Sequence, residues 1–275
     1  MNNYIIICGV FFFGILSQIR RNIWGFRSKL TKTIRIKLSK TDDIIITTDG
    51  ELAGTLYAHQ PKIWANRGFE YKTINQMKSL VKEGDVILDI GANIGMYSIF
   101  LSKIVGDNGK VYAFEPNPTT ASILKKNLIL NDCKNVVVAE IALSDTNSKV
   151  TLHRPEGVGD AFNYIKKIDS SDTNTNGIIS MRLDDFLKEH KISNINFVKV
   201  DIEGAELLCF LGAKQLLSSN NNPIVITECY ESFLQRFNHS TADLISYLNE
   251  FNYKILNYED YQWLLLPKTA GNNDN

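Results

Sequence analysis

Between Val86 and Leu143 the chain alternates short apolar runs with stretches of helical period. VILDI (86–90) closes on a glycine-rich turn, MYSIFLSKIV (96–105) reads as a helix, and KVYAF (110–114) is a second strand. Pro118 suits the first turn of a helix running through Asn131, and NVVVAEIAL (135–143) is a third strand. Strands that are apolar throughout, separated by helices, belong to a mostly parallel sheet covered on both faces. The alternation resumes with a helix at 182–190, a strand NFVKVDI (196–202), a helix at 206–217 and a strand PIVITEC (223–229). A helix at 241–251 follows, and YKILNY (253–258) with QWLLLP (262–267) read as a closing antiparallel pair. The intervening residues 149–180, with KVTLH, PEGVGD and SSDTNTNG, predict an extra hairpin or surface insertion. Upstream, residues 34–59 carry β-like runs, and the spacing of 70–82 predicts a helix ended by Glu83–Gly84–Asp85.

The strand ends carry the chemistry. In LDIGANIGMYS (88–98) Asp89 stands at the end of the first strand; Gly91 lets the chain turn close to a ligand and Gly95 admits tight packing as the helix opens. GANIG, with Ala92 and Asn93 between its glycines, lacks the closely spaced pair of GxGxxG, which argues against a pyrophosphate cradle. The turn suits a small ligand held by backbone groups, with Asp89 as countercharge for an ammonium; a purely structural turn is the alternative. Glu115 ends the second strand in FEPNP, where a carboxylate accepts from ribose hydroxyls, or else caps the next helix. Ala142 and Leu143 offer an apolar wall for a purine, with Ser144 and Asp145 beside them. VKVDIEGAE (198–206) places Asp201, Glu203 and Glu206 around a helix start, Glu206 being the best candidate for a capping role, and Glu228 ends the fifth strand. Acids thus recur on four strand ends: Asp89, Glu115, Asp201 and Glu228.

Charge divides the chain unevenly. It carries 30 Lys+Arg and 30 Asp+Glu, yet eight of the basic residues, and no acidic one, precede Asp42. The acidic remainder argues against a duplex nucleic-acid partner, which needs a basic stripe. Residues 4–19 are largely apolar and are followed by Arg20, Arg21, Arg27 and Lys29, so residues 1–40 read as a leader and membrane anchor. The location expected is membrane-associated with the catalytic domain cytoplasmic; a helix packed on a soluble cytoplasmic protein is the alternative. Residues 41–84 form a preface of strands and helix, 85–268 the main domain and 269–275 a frayed tail. Cys8, Cys133, Cys209 and Cys229 form no CxxC, and with four His no metal-ligand cluster is expected.

From LDIGANIGMYS through FEPNP, IALSD and RLDDFL to VKVDIEGAE and the Glu228 strand, the sequence resembles the FkbM family of S-adenosylmethionine-dependent methyltransferases. The resemblance implies a Rossmann-like class I methyltransferase fold of α/β type, a seven-stranded mostly parallel sheet with helices on both faces and its last strand antiparallel. It implies S-adenosylmethionine as cofactor and methylation of an oxygen, often a hydroxyl of a sugar, glycan or small metabolite. Carried over by motif, Asp89, Gly91, Ala92, Asn93 and Gly95 surround the methionine part, Glu115 binds the ribose and Ala142 borders the adenine. An alcohol oxygen must lose its proton during attack, so Asp201 is the first candidate base and Glu228 the second. Glu203 could hold acceptor hydroxyls; Tyr97, Phe162, Tyr164 and Tyr230 could wall the acceptor, and His59 or His153 could fold over it. A non-catalytic nucleoside-binding or membrane-recruited interaction module is the alternative reading.

Overall fold

A computed structural model describes residues 32–37, 43–48, 70–153, 163–167, 177–219, 221–259 and 261–268. The chain begins there with an antiparallel pair, β1 (Lys32–Lys37) and β2 (Asp43–Thr48), followed by helix α1 (Tyr71–Leu80). The main unit opens with β3 (Val86–Ile90), α2 (Met96–Val105), β4 (Lys110–Phe114), α3 (Pro118–Leu130) and β5 (Val136–Ala139). Pro118 stands in the first turn of α3 as expected, and Asn117 caps it by accepting from the Thr119 N–H at 3.0 Å.

The third predicted strand is divided. After β5 the chain leaves the main sheet, and β6 (Ala142–Leu143) joins a second sheet with β7 (Ser148–His153), β8 (Tyr164–Lys167) and β9 (Ile178–Met181) in the order β6-β9-β7-β8. The cause lies beyond the neighbouring strand. The Glu115 N–H donates to the Ala139 carbonyl at 3.1 Å, and the next donor in that alternation, the Asn117 N–H, turns instead to Glu115 Oε1 at 2.9 Å, so the ladder ends there.

Helix α4 (Leu183–Glu189), β10 (Phe197–Val200), α5 (Glu206–Leu211), α6 (Lys214–Leu217) and β11 (Ile224–Glu228) follow. The single helix expected over 206–217 is two. Asp184, buried on α4, accepts from the N–H groups of Gln215 and Leu216 at 2.8 and 3.1 Å and so caps a fresh helix start at that point. Short helices α7 (Glu231–Leu234) and α8 (Thr241–Leu248) lead into β12 (Tyr253–Glu259) and β13 (Gln262–Pro267).

The seven-stranded sheet has the order β12-β13-β11-β10-β3-β4-β5. Its five strands from β11 to β5 pair in parallel, whereas β13 is antiparallel to both β11 and β12. This is the Rossmann-like class I methyltransferase arrangement that the family resemblance implied. Ile74, Met77, Ile87, Ile99, Leu101 and Phe197 are buried on one face; Leu88, Ile90, Phe186, Val198, Phe210 and Leu244 are buried on the other. The strand order reverses between β10 and β3, where open sheets of this type hold their ligands.

The membrane-associated location is corrected: among the described residues no helix is long and apolar enough to cross a membrane. Residues 4–19, on which that expectation rested, lie outside the described residues, as do the frayed tail, His59 and Phe162. Cys133, Cys209 and Cys229 are free thiols, the last two buried.

Candidate active site

A crevice opens at the carboxyl ends of β3, β4 and β10, and Gly91, Asn93, Glu115, Ala142 and Asp201 all line it. Gly91 has φ +83, and a Cβ on it would lie 1.8 Å from the Asp201 carbonyl oxygen. The turn therefore presses against the end of β10, and its missing side chain makes room for protein backbone. The Gly91 and Ala92 N–H groups donate to the Phe114 carbonyl at 3.1 and 2.9 Å, which ties the turn to β4 as well. Asn93 takes a left-handed φ of 50, and its N–H donates to Glu115 Oε2 at 3.0 Å. Glu115 Oε1 accepts the Asn117 N–H at 2.9 Å. The ribose-candidate carboxylate is thus held from both sides by backbone donors, a fixed acceptor facing the crevice.

Not every residue singled out in the sequence reaches that surface. Asp89 is fully buried; its Oδ2 accepts from Ser98 Oγ at 2.6 Å, and its other oxygen has no hydrogen-bond partner among the described residues. Ala92 is buried, and Gly95 begins α2 packed against Leu124 of α3. Ser144 is buried, its hydroxyl donating to Asp145 at 3.0 Å. Tyr164 lines the crevice with His153 5.0 Å from its ring, whereas Tyr230 stacks on Tyr261 at 4.0 Å. Tyr97 is buried and its hydroxyl donates to Glu70.

Beside the cradle lies a packed group of charges. Asp201 Oδ2 is 3.0 Å from the Lys199 ammonium, and Asp201 also shares a hydrogen bond with Glu228. Burial alone would raise the Asp201 pKa, but the Lys199 ammonium and the Glu228 hydrogen bond bring it below the ordinary carboxylate value. Glu228 is pushed up to about 11 by burial and by the Asp201 charge, so it carries the proton of that pair. Burial and the neighbouring Asp201 and Glu206 carboxylates push Glu203 up to about 9, against the pull of Arg236, whose guanidinium lies 3.8 Å from Glu203 Oε2. Glu206 takes the structural role expected of it: Oε1 accepts the N–H groups of Ile202 and Gly204 at 3.1 and 3.2 Å.

Asp201, Glu203 and Glu228 each bring an oxygen within 4.8 Å of the others. That geometry alone does not make a metal centre. The lysine and the shared proton already balance Asp201 and Glu228, so a divalent ion would have to displace both. An organic cofactor fits better. Glu115 offers paired acceptors for a ribose diol, Ile141, Ala142 and Leu143 form an apolar wall for a purine, and the ionised Asp201 beside them suits a cationic sulfonium. The residues present fit S-adenosylmethionine.

Two residues escaped the sequence reading. Lys199 sits in the middle of β10 with its side chain buried; a lysine inside the apolar run NFVKVDI was the available signal. Asn163 lines the crevice from the start of β8, its carboxamide oxygen buried without a partner among the described residues. Nothing in the local sequence marked it.

Comparison with known proteins bears on the same residues. 2-O-methyltransferase NoeI of Sinorhizobium fredii is 29% identical over 165 residues, 54% of this chain and 65% of that protein. Hexuronic acid methyltransferase AglP of Haloferax volcanii is 30% identical over 168 residues, 60% of this chain and 65% of its own. Methyltransferase 1 of Beauveria bassiana is 29% identical over 138 residues, covering 44% and 55% respectively. The matched region thus spans 55–65% of the length of these curated relatives. Residues 89–255, from the buried aspartate of β3 to the middle of β12, match the family described as the methyltransferase FkbM domain. With the sheet order, the Glu115 cradle and this match in agreement, the chain belongs to the FkbM methyltransferase family.

Proposed function

We propose that this protein transfers a methyl group from S-adenosylmethionine to a hydroxyl oxygen of a sugar, a glycan or a small polyhydroxylated metabolite. The observation that carries the reading is the juxtaposition, in one crevice, of the Glu115 cradle with the carboxylates of Asp201 and Glu203. Carboxyl groups in that position accept and donate hydrogen bonds to vicinal hydroxyls, the pattern that sugars present. The names of two relatives, a 2-O-methyltransferase and a hexuronic acid methyltransferase, support the same acceptor class.

When bound, S-adenosylmethionine supplies an electrophilic methyl group on a positively charged sulfur. The chain's own contribution is to bind, to align and to move a proton. Glu115, held by the Asn93 and Asn117 N–H groups, fixes the ribose end. Gly91 and Asn93 shape the turn over the methionine end; Asp89 and Gly95 support that turn from inside, through Ser98 and α3. Asp201 retains 32% of its side-chain surface and is ionised, so it accepts the proton that the acceptor hydroxyl loses. Glu228, already protonated, donates to Asp201, while Glu203 orients the acceptor.

The test is methyl transfer by the purified full chain from S-adenosylmethionine to a panel of sugars, glycans and small alcohols, read by mass gain. A gain on a polyhydroxylated acceptor supports the proposal. Binding of S-adenosylhomocysteine without a gain on any acceptor favours a non-catalytic nucleoside-binding module, and absence of binding to either form of the cofactor rejects both.

A further inference from the structure

Lys199 is the third residue of β10, and the other three members, Phe197, Val198 and Val200, are buried apolar residues. Its side chain retains 6% of its surface. Desolvating an ammonium costs several kcal/mol unless it is paired, and an aliphatic side chain would fill this place without that cost. The groups it meets explain the charge. Its ammonium lies 3.0 Å from Asp201 Oδ2 and 4.5 Å from the centroid of the Tyr97 ring. On the neighbouring strand its ladder partner is Asp89. The Glu70 carboxylate accepts from the Tyr97 hydroxyl and adds its negative charge to those acting on Lys199.

The two aspartates differ in what they face. Asp89 has no exposed surface and is bound to Ser98, whereas Asp201 lines the crevice with about a third of its side chain open. The ammonium is therefore paired with the outer carboxylate, which meets the crevice, and feels the inner one, which does not, only through its charge. Beyond Asp201 stands Glu228 at the end of β11, hydrogen-bonded to it. Glu203 and Glu206 face the same group from the start of α5, and Arg236 approaches Glu203 from the 3-10 turn after α7. Of these groups, Lys199 is the cation in direct contact with Asp201.

We propose that Lys199 is the positioning residue of this site, holding Asp201 from the sheet interior so that Asp201, with Glu228 as its proton-sharing neighbour, receives the proton of the acceptor hydroxyl. The inference rests on the O-methylation reading above. As the acceptor oxygen forms its bond to the methyl carbon, the carbon–sulfur bond breaks with its electron pair staying on sulfur. The acceptor O–H bond breaks with its pair staying on oxygen, and the proton passes to Asp201, which becomes neutral. Lys199 keeps its own proton throughout: Asp201 and Asp89 raise its pKa above the ordinary value although burial alone would lower it. Loss of the Asp201 proton to water, by way of the Glu228 carboxyl, restores the starting state.

A lysine present only for packing makes a different prediction, because exchange for a hydrophobic residue of similar length would then be neutral or stabilising without altering the site. The decisive variants are Lys199→Met and Lys199→Arg, read in two ways. The first readout is carboxyl-carbon NMR titration of the ligand-free protein. Wild type is expected to show Asp201 ionised and Glu228 protonated at neutral pH, and Lys199→Met to move the Asp201 titration to higher pH. The second is turnover against pH. Lys199→Met is expected to lose roughly tenfold to a thousandfold in kcat, to shift the acidic limb upward and to bind S-adenosylhomocysteine as wild type does; Lys199→Arg recovers part of the rate.

A folded Lys199→Met with an unmoved Asp201 titration, or with wild-type turnover and pH profile, overturns the proposal. If Lys199→Met does not fold, the double variant Asp89→Asn/Lys199→Met removes both interior charges and is titrated instead. Should that fail as well, a wild-type titration with Glu228 ionised at neutral pH overturns the assignment. Absence of methyl transfer by wild type to any acceptor rejects the proposed function, whereas the NMR titration decides the role of Lys199 without it.

Discussion

Replacing Gly91 by alanine should cost far more than the same change at Gly84, although the two share nearly the same backbone conformation, φ +83 and φ +85. Both variants bear the strain of an L-residue in the left-handed region, about 1–2 kcal/mol. At Gly84 nothing lies within 4 Å of the new methyl, so the strain is the whole cost. At Gly91 the methyl would sit 1.8 Å from the Asp201 carbonyl oxygen, where ordinary contact begins at 3.4 Å. Turn and strand end must separate by the difference, about 1.6 Å, and that movement is opposed by the bond from the Asp201 N–H to the Ile90 carbonyl at 3.0 Å. Breaking a buried hydrogen bond adds about 1–3 kcal/mol. The expected destabilisation is thus about 1–2 kcal/mol for Gly84→Ala and about 2–5 kcal/mol for Gly91→Ala. Urea unfolding of the two variants beside wild type measures the difference directly. Calorimetric titration with S-adenosylhomocysteine should show weakened binding in Gly91→Ala alone. Equal stability of the two variants would refute the close approach of turn and strand.

Removal of the Glu115 carboxylate in Glu115→Ala should weaken S-adenosylhomocysteine binding about 10- to 100-fold, the worth of charge-assisted hydrogen bonds; unchanged affinity in the folded variant would remove it as the ribose ligand. Burial pushes Glu206 up to about 7 from an ordinary 4.5, so the folded state holds a proton that the unfolded chain gives up. Its contribution is complete below pH 4.5 and is lost as pH rises through 7. Glu206→Gln should abolish that slope and gain at most about 3 kcal/mol at pH 8, measured by unfolding at a series of pH values. Ser240 forms a capping box with Asp243 at the start of α8, and Ser240→Ala should cost about 1 kcal/mol in the same assay while leaving cofactor affinity unchanged.

How far the sequence revealed these features depended on whether their causes were local. The strands VILDI and KVYAF and the helix MYSIFLSKIV occupy the predicted residues, because apolar runs bounded by turns leave little choice. The break after Ala139 was not visible in NVVVAEIAL, since it depends on the chain beyond the adjacent strand, where the Asn117 N–H turns to the Glu115 side chain. The break between α5 and α6 likewise comes from Asp184, some thirty residues away. In the site, Glu115 was legible because strand-end acids face the crevice of such a sheet. The burial of Asp89 was not: a strand apolar on both faces does not say which face a lone carboxylate takes, and here Asp89 shares a face with Lys199. Lys199 itself was visible as a charge out of place; its meaning required the distance to Asp201.

The second sheet has a further consequence. The parallel pairing of β6 with β9 sets Ala142 beside Ser180 and Leu143 beside Met181, so the chain enters and leaves this excursion at adjacent points. An excursion clasped at its root can lengthen, shorten or be exchanged without shifting the strands on either side. The residues it sends to the crevice, among them Leu152, Asn163 and Tyr164, can therefore diverge between relatives while the Glu115 side stays fixed. On the O-methylation reading proposed above, grafting residues 143–180 from one relative into another, with the clasp preserved, tests whether this excursion selects the acceptor.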